Sequence, residues 1–142
     1  MSTVTHAQPA VERTDCHGAH FATRRQQPAI AVITAHGEID AANAPEFVDY
    51  ALRQAPNTER LVLDLSGLDF FGTAGFSALH SVNVRCAGEK INWAVVPSSA
   101  VTRLLRICDP DSALPICASV DAALSAVQGE PPRLLQLVAK SR

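Results

Sequence analysis

Nothing in this 142-residue chain is built to meet a nucleic acid: there is no basic block and the formal net charge is -2, so the electrostatic footprint of such binding is missing. No apolar run reaches the length needed to span a bilayer. The N-terminus lacks a charged start followed by an apolar stretch, so no secretory signal is visible and the cytoplasm is the expected compartment. The four cysteines, Cys16, Cys86, Cys108 and Cys117, include no C-x-x-C pair and no zinc-type spacing. In a reducing compartment they are expected to be free thiols, several buried as small hydrophobes. There is no P-loop, no H-E-x-x-H, no nucleophile–base pair and no glycine-rich phosphate cradle. Those absences leave no footing for an enzyme, a cofactor or a small-molecule substrate.

What is present fits one compact domain, with 47% hydrophobic and 18% charged residues. Residues 1–19 are polar and aperiodic and are expected to be a flexible tail. Cys16, His17 and His20 fall in or beside it, too few donors for a metal site on sequence alone. Residues 20–128 read as the domain. Residues 129–142 open with Gly129-Glu130-Pro131-Pro132 and read as a second tail.

Within the domain, residues 20–27 suggest an edge strand, and Gln27-Pro28 a break. Residues 29–35 are apolar and β-branched, a strand pattern. Asn43-Ala44-Pro45-Glu46 reads as a helix start, with Asn43 as N-cap and Glu46 at the capping-box position. Phe47, Val48, Ala51, Leu52 and Ala55 then follow at helical spacing. Residues 61–65 form the most apolar strand. A second helix is expected over residues 73–87, with Ala78, Leu79, Val82 and Cys86 inward and Gly88 as its stop. Residues 91–96 read as a strand. Ser98 or Ser99 caps a third helix, which Asp109-Pro110 ends. Residues 114–118 suggest a short last strand, and Ser119 caps a final helix carrying Val120, Leu124 and Val127. This alternation predicts an α/β fold: a mostly parallel sheet of about five strands with helices mainly on one side.

One stretch stands apart: Leu61-Val62-Leu63-Asp64-Leu65-Ser66-Gly67-Leu68-Asp69-Phe70-Phe71-Gly72-Thr73-Ala74-Gly75-Phe76. A strand runs into a small-residue turn and then a helix. Thr73 and Ala74 fall at the helix start, where unpaired N–H groups favour negative charge. A phosphate on a hydroxyl there would act as a switch. Asp64 needs hydrogen-bond donors, which the backbone of this turn would provide. Phe70, Phe71 and Phe76 cannot all point inward from one tight turn, and Phe76 is the expected exposed anchor. Trp93 is expected in the core, and Arg103 and Arg106 in solvent.

Three segments together resemble the STAS domain, the family of bacterial anti-sigma factor antagonists. Gly37-Glu38-Ile39-Asp40 with Ala44-Pro45 resembles the family's G-E-L-D segment and helix start. Leu61-Val62-Leu63-Asp64-Leu65-Ser66 resembles its central strand. Phe70-Phe71-Gly72-Thr73-Ala74-Gly75-Phe76 resembles its switch loop, F-x-D-S-S/T-G-L. The resemblance implies a partner, an anti-sigma factor and serine kinase of the GHKL fold, whose capture frees a sigma factor. Phosphorylation of the loop by that kinase would break the complex. It also implies partner-binding roles for Asp40, Gly72, Gly75 and Phe76.

The chain departs from the family in the switch itself. Ala74 stands where the phosphoacceptor is expected, Gly72 replaces an aspartate, and Thr73 carries the hydroxyl one residue early. Thr73 is then a shifted acceptor or only an N-cap on a binder that is never phosphorylated. A one-residue shift turns a helical side chain by about 100°, which favours the second. Cys108 and Cys117 offer a redox input if they approach within disulfide reach. An alternative family role is the STAS subunit of an ABC-type lipid transport complex docking on its ATPase, which also dispenses with a phospho-switch.

Overall fold

The computed structural model describes residues 11–27 and 29–128. Five strands, β1 (Val11–Cys16), β2 (Ala19–Gln27), β3 (Ile30–Ile39), β4 (Arg60–Phe71) and β5 (Asn92–Val96), form one sheet in the order β1-β2-β3-β4-β5. Four helices accompany it: α1 (Ala44–Arg53), α2 (Thr73–Glu89), α3 (Ser99–Cys108) and α4 (Val120–Gln128). Pro28 of the expected break, residues 1–10 of the first tail and all of residues 129–142 lie outside the described residues.

The sheet is mixed rather than mostly parallel. β1, β2 and β3 pair antiparallel, while β3, β4 and β5 pair parallel. The reason is connectivity. Only two residues separate β1 from β2 and β2 from β3, too few for the crossover that a parallel pair needs. Crossovers through α1 and α2 make the rest parallel.

Five strands were expected, but not these five. β1 occupies residues 11–16 of the expected tail. Its sequence, Val-Glu-Arg-Thr-Asp-Cys, is mostly polar because it is an edge strand, where charge discourages further pairing. The expected last strand contributes only a single parallel bridge, from Ile116 to Val95. The Pro115 carbonyl accepts from Val95 N and Cys117 N donates to Val95 O, both at 2.9 Å. Pro115 itself has no N–H to extend the ladder.

The central strand β4 explains the layering. Leu61, Leu63 and Leu65 point to one face and Val62 to the other, and all are buried. Strand side chains alternate between faces, so both faces need cover. α1, α2 and α3 cover the first through Phe47, Tyr50, Leu79, Val82, Val101 and Leu105. α4 covers the second, packing Ala123 and Val127 on Val32, Val62, Ala94 and Val96. Helices thus lie mainly on one side. Aromatic packing seats α1 over β2: the Phe21 ring lies 5.5 Å from Phe47 and 5.4 Å from Tyr50. Thr23 Oγ1 donates to the buried Tyr50 hydroxyl at 2.7 Å. Trp93 is buried as expected, its Nε1 donating to Asn83 Oδ1 at 3.0 Å. No helix among the described residues is long and apolar enough to cross a membrane.

The helix ends show local chemistry at work. Ser98 Oγ accepts from Val101 N at 3.2 Å, and Ser119 Oγ from Ala122 N at 3.1 Å, both true N-caps. α2 runs past Gly88 and ends on Lys90, which takes the left-handed conformation with φ 61°. Ile91 N then donates to Cys86 O at 2.8 Å, the closure typical of a helix end. Burial of Ile91 sets that end, so the stop falls two residues after the glycine.

The β4–α2 junction is closely packed. A Cβ on Gly75 would lie 2.5 Å from Cε1 of Phe71, whereas one on Gly88 would meet nothing within 4 Å. Gly75→Ala is therefore expected to lower the unfolding free energy by about 1–3 kcal/mol, the usual cost of overpacking. Gly88→Ala on the same helix should raise it by roughly 0.5–1 kcal/mol. Urea melts of the two variants check this, and equal effects would contradict the close approach.

Candidate functional site

The expected site residues gather at one end of the sheet, where β3 and β4 stop. Asn43 holds this end together. Its amide is fully buried. Oδ1 accepts from Asp40 N at 3.0 Å. Nδ2 donates to Glu38 O at 2.9 Å and His17 O at 3.0 Å, with Cys16 O at 3.4 Å. The side chain thereby ties the β1–β2 turn, the end of β3 and the start of α1. It does not cap α1 by its side chain, and Glu46 completes no capping box. The residue sits at the N-cap position, but four backbone groups compete for the amide and win.

Asp40 is the next member. Its Oδ1 accepts from Ala42 N at 2.9 Å, and its carbonyl accepts from Asn43 N and Ala44 N at 3.2 and 2.9 Å. This is the turn that launches α1, so Asp40 is engaged in that turn, whereas an Asn43 cap was expected to leave it free. Gly37 lets this turn sit against its neighbour: it has φ 99°, and a Cβ there would lie 2.2 Å from Gly18 O.

Gly72 joins the same end through its N–H, which donates to Ile39 O at 3.0 Å. Gly72, not Thr73, is the N-cap of α2, and no side chain caps that helix. Thr73 is the first helical residue and is exposed; Ala74 is second and half-buried; Gly75 is third and buried. The first turn holds no acidic residue, so no side chain of that turn offsets the positive end of this 17-residue helix.

Ala74 and Thr73 face different surroundings. Ala74 lines a shallow groove of about 310 Å³ between α1 and α2, with Ala41, Ala44, Pro45, Val48 and Ala78. Thr73 is not part of it. The groove is mostly apolar because small residues alternate on the facing turns of the two helices.

The exposed aromatic is Phe70 rather than Phe76. Phe70 is 49% exposed, Phe71 is buried, and Phe76 packs half-buried against the main core. β4 runs on to Phe71, so pleat alternation sends Phe70 outward and Phe71 inward. Helical spacing then turns Phe76 back toward the sheet. The Phe70 ring lies over Gly72, with Cε2 at 3.3 Å from where a Cβ would be. A side chain at position 72 would press on this half-exposed ring, which would have to give by a few tenths of an ångström. Sequence reasoning missed this contact because β4 was expected to stop at Leu65.

Asp64 draws its donors from Ser66, not from the switch loop: Oδ1 accepts from Ser66 N at 3.1 Å and from Ser66 Oγ at 2.6 Å. Cys108 and Cys117 are both free and half-buried. Cys117 packs against the α4 side of the sheet. Burial pushes the Cys86 thiol up to about 12. At the other corner of the site, Cys16, His17 and Glu46 converge as a group of metal-type donors. Burial and then Glu46 raise the Cys16 thiol above its ordinary value. His20 is not with them; its Nδ1 meets Asp15 Oδ1 at 2.7 Å.

Known proteins agree with this architecture. Osmosensory protein A of Mycobacterium tuberculosis (strain ATCC 25618 / H37Rv) is 38% identical over 111 residues, covering 75% of this chain and 70% of that protein. Anti-sigma-F factor antagonist RsfA of the same strain is 34% identical over 117 residues, covering 80% and 91%. The crystal structure of an anti-sigma factor antagonist from Mycobacterium paratuberculosis superposes with a TM-score of 0.69 at 24% identity, covering 84% of this chain and 96% of that one. Unphosphorylated SpoIIAA superposes at 0.64 with 14% identity, covering 78% and 97%. The STAS domain family matches residues 22–123. That span takes in most of the sheet, α1 to α3 and the β4–α2 junction, and with it the chain belongs to the STAS domain family.

Proposed function

We propose that this chain is an anti-sigma factor antagonist: it binds an anti-sigma factor of the GHKL fold, frees a sigma factor for transcription, and acts by binding rather than by catalysis. The names of its relatives support the general role, RsfA foremost. One observation carries the particular form: Ala74, at the family's phosphoacceptor position, lines the apolar groove between α1 and α2. A phosphoserine there would place about two negative charges in an apolar contact and repel a partner. Alanine has no hydroxyl to modify, so position 74 stays in its binding form; Ser77 and Ser81 line the same groove but lie off the family's phosphoacceptor position. Thr73 has a hydroxyl but lies outside the groove, so its modification would not charge the same contact.

Phe70 takes the anchoring role in this reading. It is the exposed ring beside the loop, and aromatic anchors dominate interfaces. Asp40, Gly72 and Gly75 shape the surface around it: Asp40 through its turn, Gly72 by making room for the ring, and Gly75 by bringing α2 down on Phe71.

The testing experiment is affinity capture from native lysate with mass spectrometry of what is bound. A GHKL-fold anti-sigma factor is the expected catch. Capture of an ABC ATPase with its permease would overturn the reading in favour of a transport subunit. With the captured partner in hand, Ala74→Glu and Phe70→Asp should each weaken binding by roughly tenfold or more, about 1.4 kcal/mol. Thr73→Ala should leave binding unchanged. Calorimetric titration checks all three. Phe70→Asp should keep the wild-type melting curve because Phe70 is 49% exposed. A melt of Ala74→Glu, whose position packs half-buried against the core, separates lost binding from lost stability.

A further inference from the structure

The β1–β2 turn brings together donors that partner binding does not use. A sulfur of Cys16, a ring nitrogen of His17 and a carboxylate oxygen of Glu46 lie within 4.8 Å of one another. They come from two elements that are distant in sequence and adjacent in the fold. Cys16 ends β1, His17 begins the turn to β2, and Glu46 lies in the first turn of α1.

We propose that Cys16, His17 and Glu46 form a binding site for a zinc-type divalent ion, with solvent in the fourth position. The donor set selects the ion. A thiolate with an imidazole and a carboxylate suits borderline-soft metals such as zinc or cobalt, whereas magnesium and calcium take oxygen donors. Three protein ligands with one open position is an established zinc arrangement. Zinc with bonds of about 2.0–2.3 Å holds tetrahedral ligand atoms roughly 3.3–3.8 Å apart. His17 and Glu46 are exposed and free to rotate by the remaining amount.

The backbone is already set for this. His17 has φ 42°, a left-handed conformation in which histidine is tolerated better than most residues. Asn43 Nδ2 holds the carbonyl of His17 at 3.0 Å. Beside the donors lies an open cavity of about 400 Å³, lined by Thr14, Asp49 and Tyr50 as well as Cys16 and Glu46, with room for the solvent ligand. On binding, the Cys16 thiol gives its proton to solvent as the metal–sulfur bond forms. Two anionic ligands then balance the charge of a divalent ion. The ion would fasten the β1–β2 turn to α1, the same two elements that Asn43 joins from inside.

The test is cobalt titration of the reduced, metal-free full chain, followed by zinc. One equivalent of cobalt should produce a thiolate-to-cobalt charge-transfer band that zinc abolishes. Cys16→Ser should remove the band, and Cys117→Ser should keep it. His17→Asn and Glu46→Gln should each weaken cobalt binding by roughly tenfold or more. Asparagine also tolerates the left-handed conformation, so the His17 variant preserves the turn while removing the imidazole. Absence of the band in the wild type, or its survival in Cys16→Ser, would overturn the proposal.

Discussion

The buried amide of Asn43 is the constraint on which this end of the molecule depends. One side chain satisfies the backbone of Asp40, Glu38 and His17 and reaches Cys16. Backbone groups buried without partners cost about 1–3 kcal/mol each, so the arrangement has no cheap alternative. It decides where the β1–β2 turn sits, where β3 ends and where α1 begins. Asp40 can then form its turn, and Gly72 can pair with the carbonyl of Ile39. The groove between α1 and α2 inherits its shape from those two anchored starts.

Behind that end, the fold is a division of labour between the two faces of β4. One face carries the large core with three helices and the other a thinner layer under α4. The larger layer fixes α1 and α2 relative to each other. Phe71 and Gly75 set how closely α2 approaches the strand end. Because the groove is made of small residues on two rigid helices, a single added charge would alter it without any change of fold. The proposed role of Ala74 rests on that geometry.

Much of this was legible in the amino-acid pattern. The apolar run at Leu61 to Leu65, the serine caps at Ser98 and Ser119, and the α1 stripe each express a local rule that tertiary packing left in force. The failures have a common cause: long-range contacts outbid local signals. β1 has no apolar alternation because edge strands are solvated on much of their surface, so only its pairing with β2 reveals it. Asn43 looks like a cap until the β1–β2 turn, 26 residues earlier, supplies carbonyls for its amide. Gly88 looks like a stop, yet burial of Ile91 puts the left-handed residue at Lys90. Phe76 and Phe70 exchange roles because β4 extends to Phe71, with register shifts against β3 near His36 and Glu38 that short-range periodicity does not encode. The cluster of Cys16, His17 and Glu46 was half visible, since only the fold brings Glu46 to the other two.

The central claim is that the loop at Gly72-Thr73-Ala74 holds the binding form without a phosphate switch. Its most direct test is the survival of the complex between this chain and its anti-sigma partner when ATP is added. The account predicts that the wild-type complex persists with no change in mass of this chain. It also predicts that Ala74→Ser makes the complex fall apart as position 74 gains one phosphate. Dissociation of the wild-type complex with phosphate on Thr73 would contradict it.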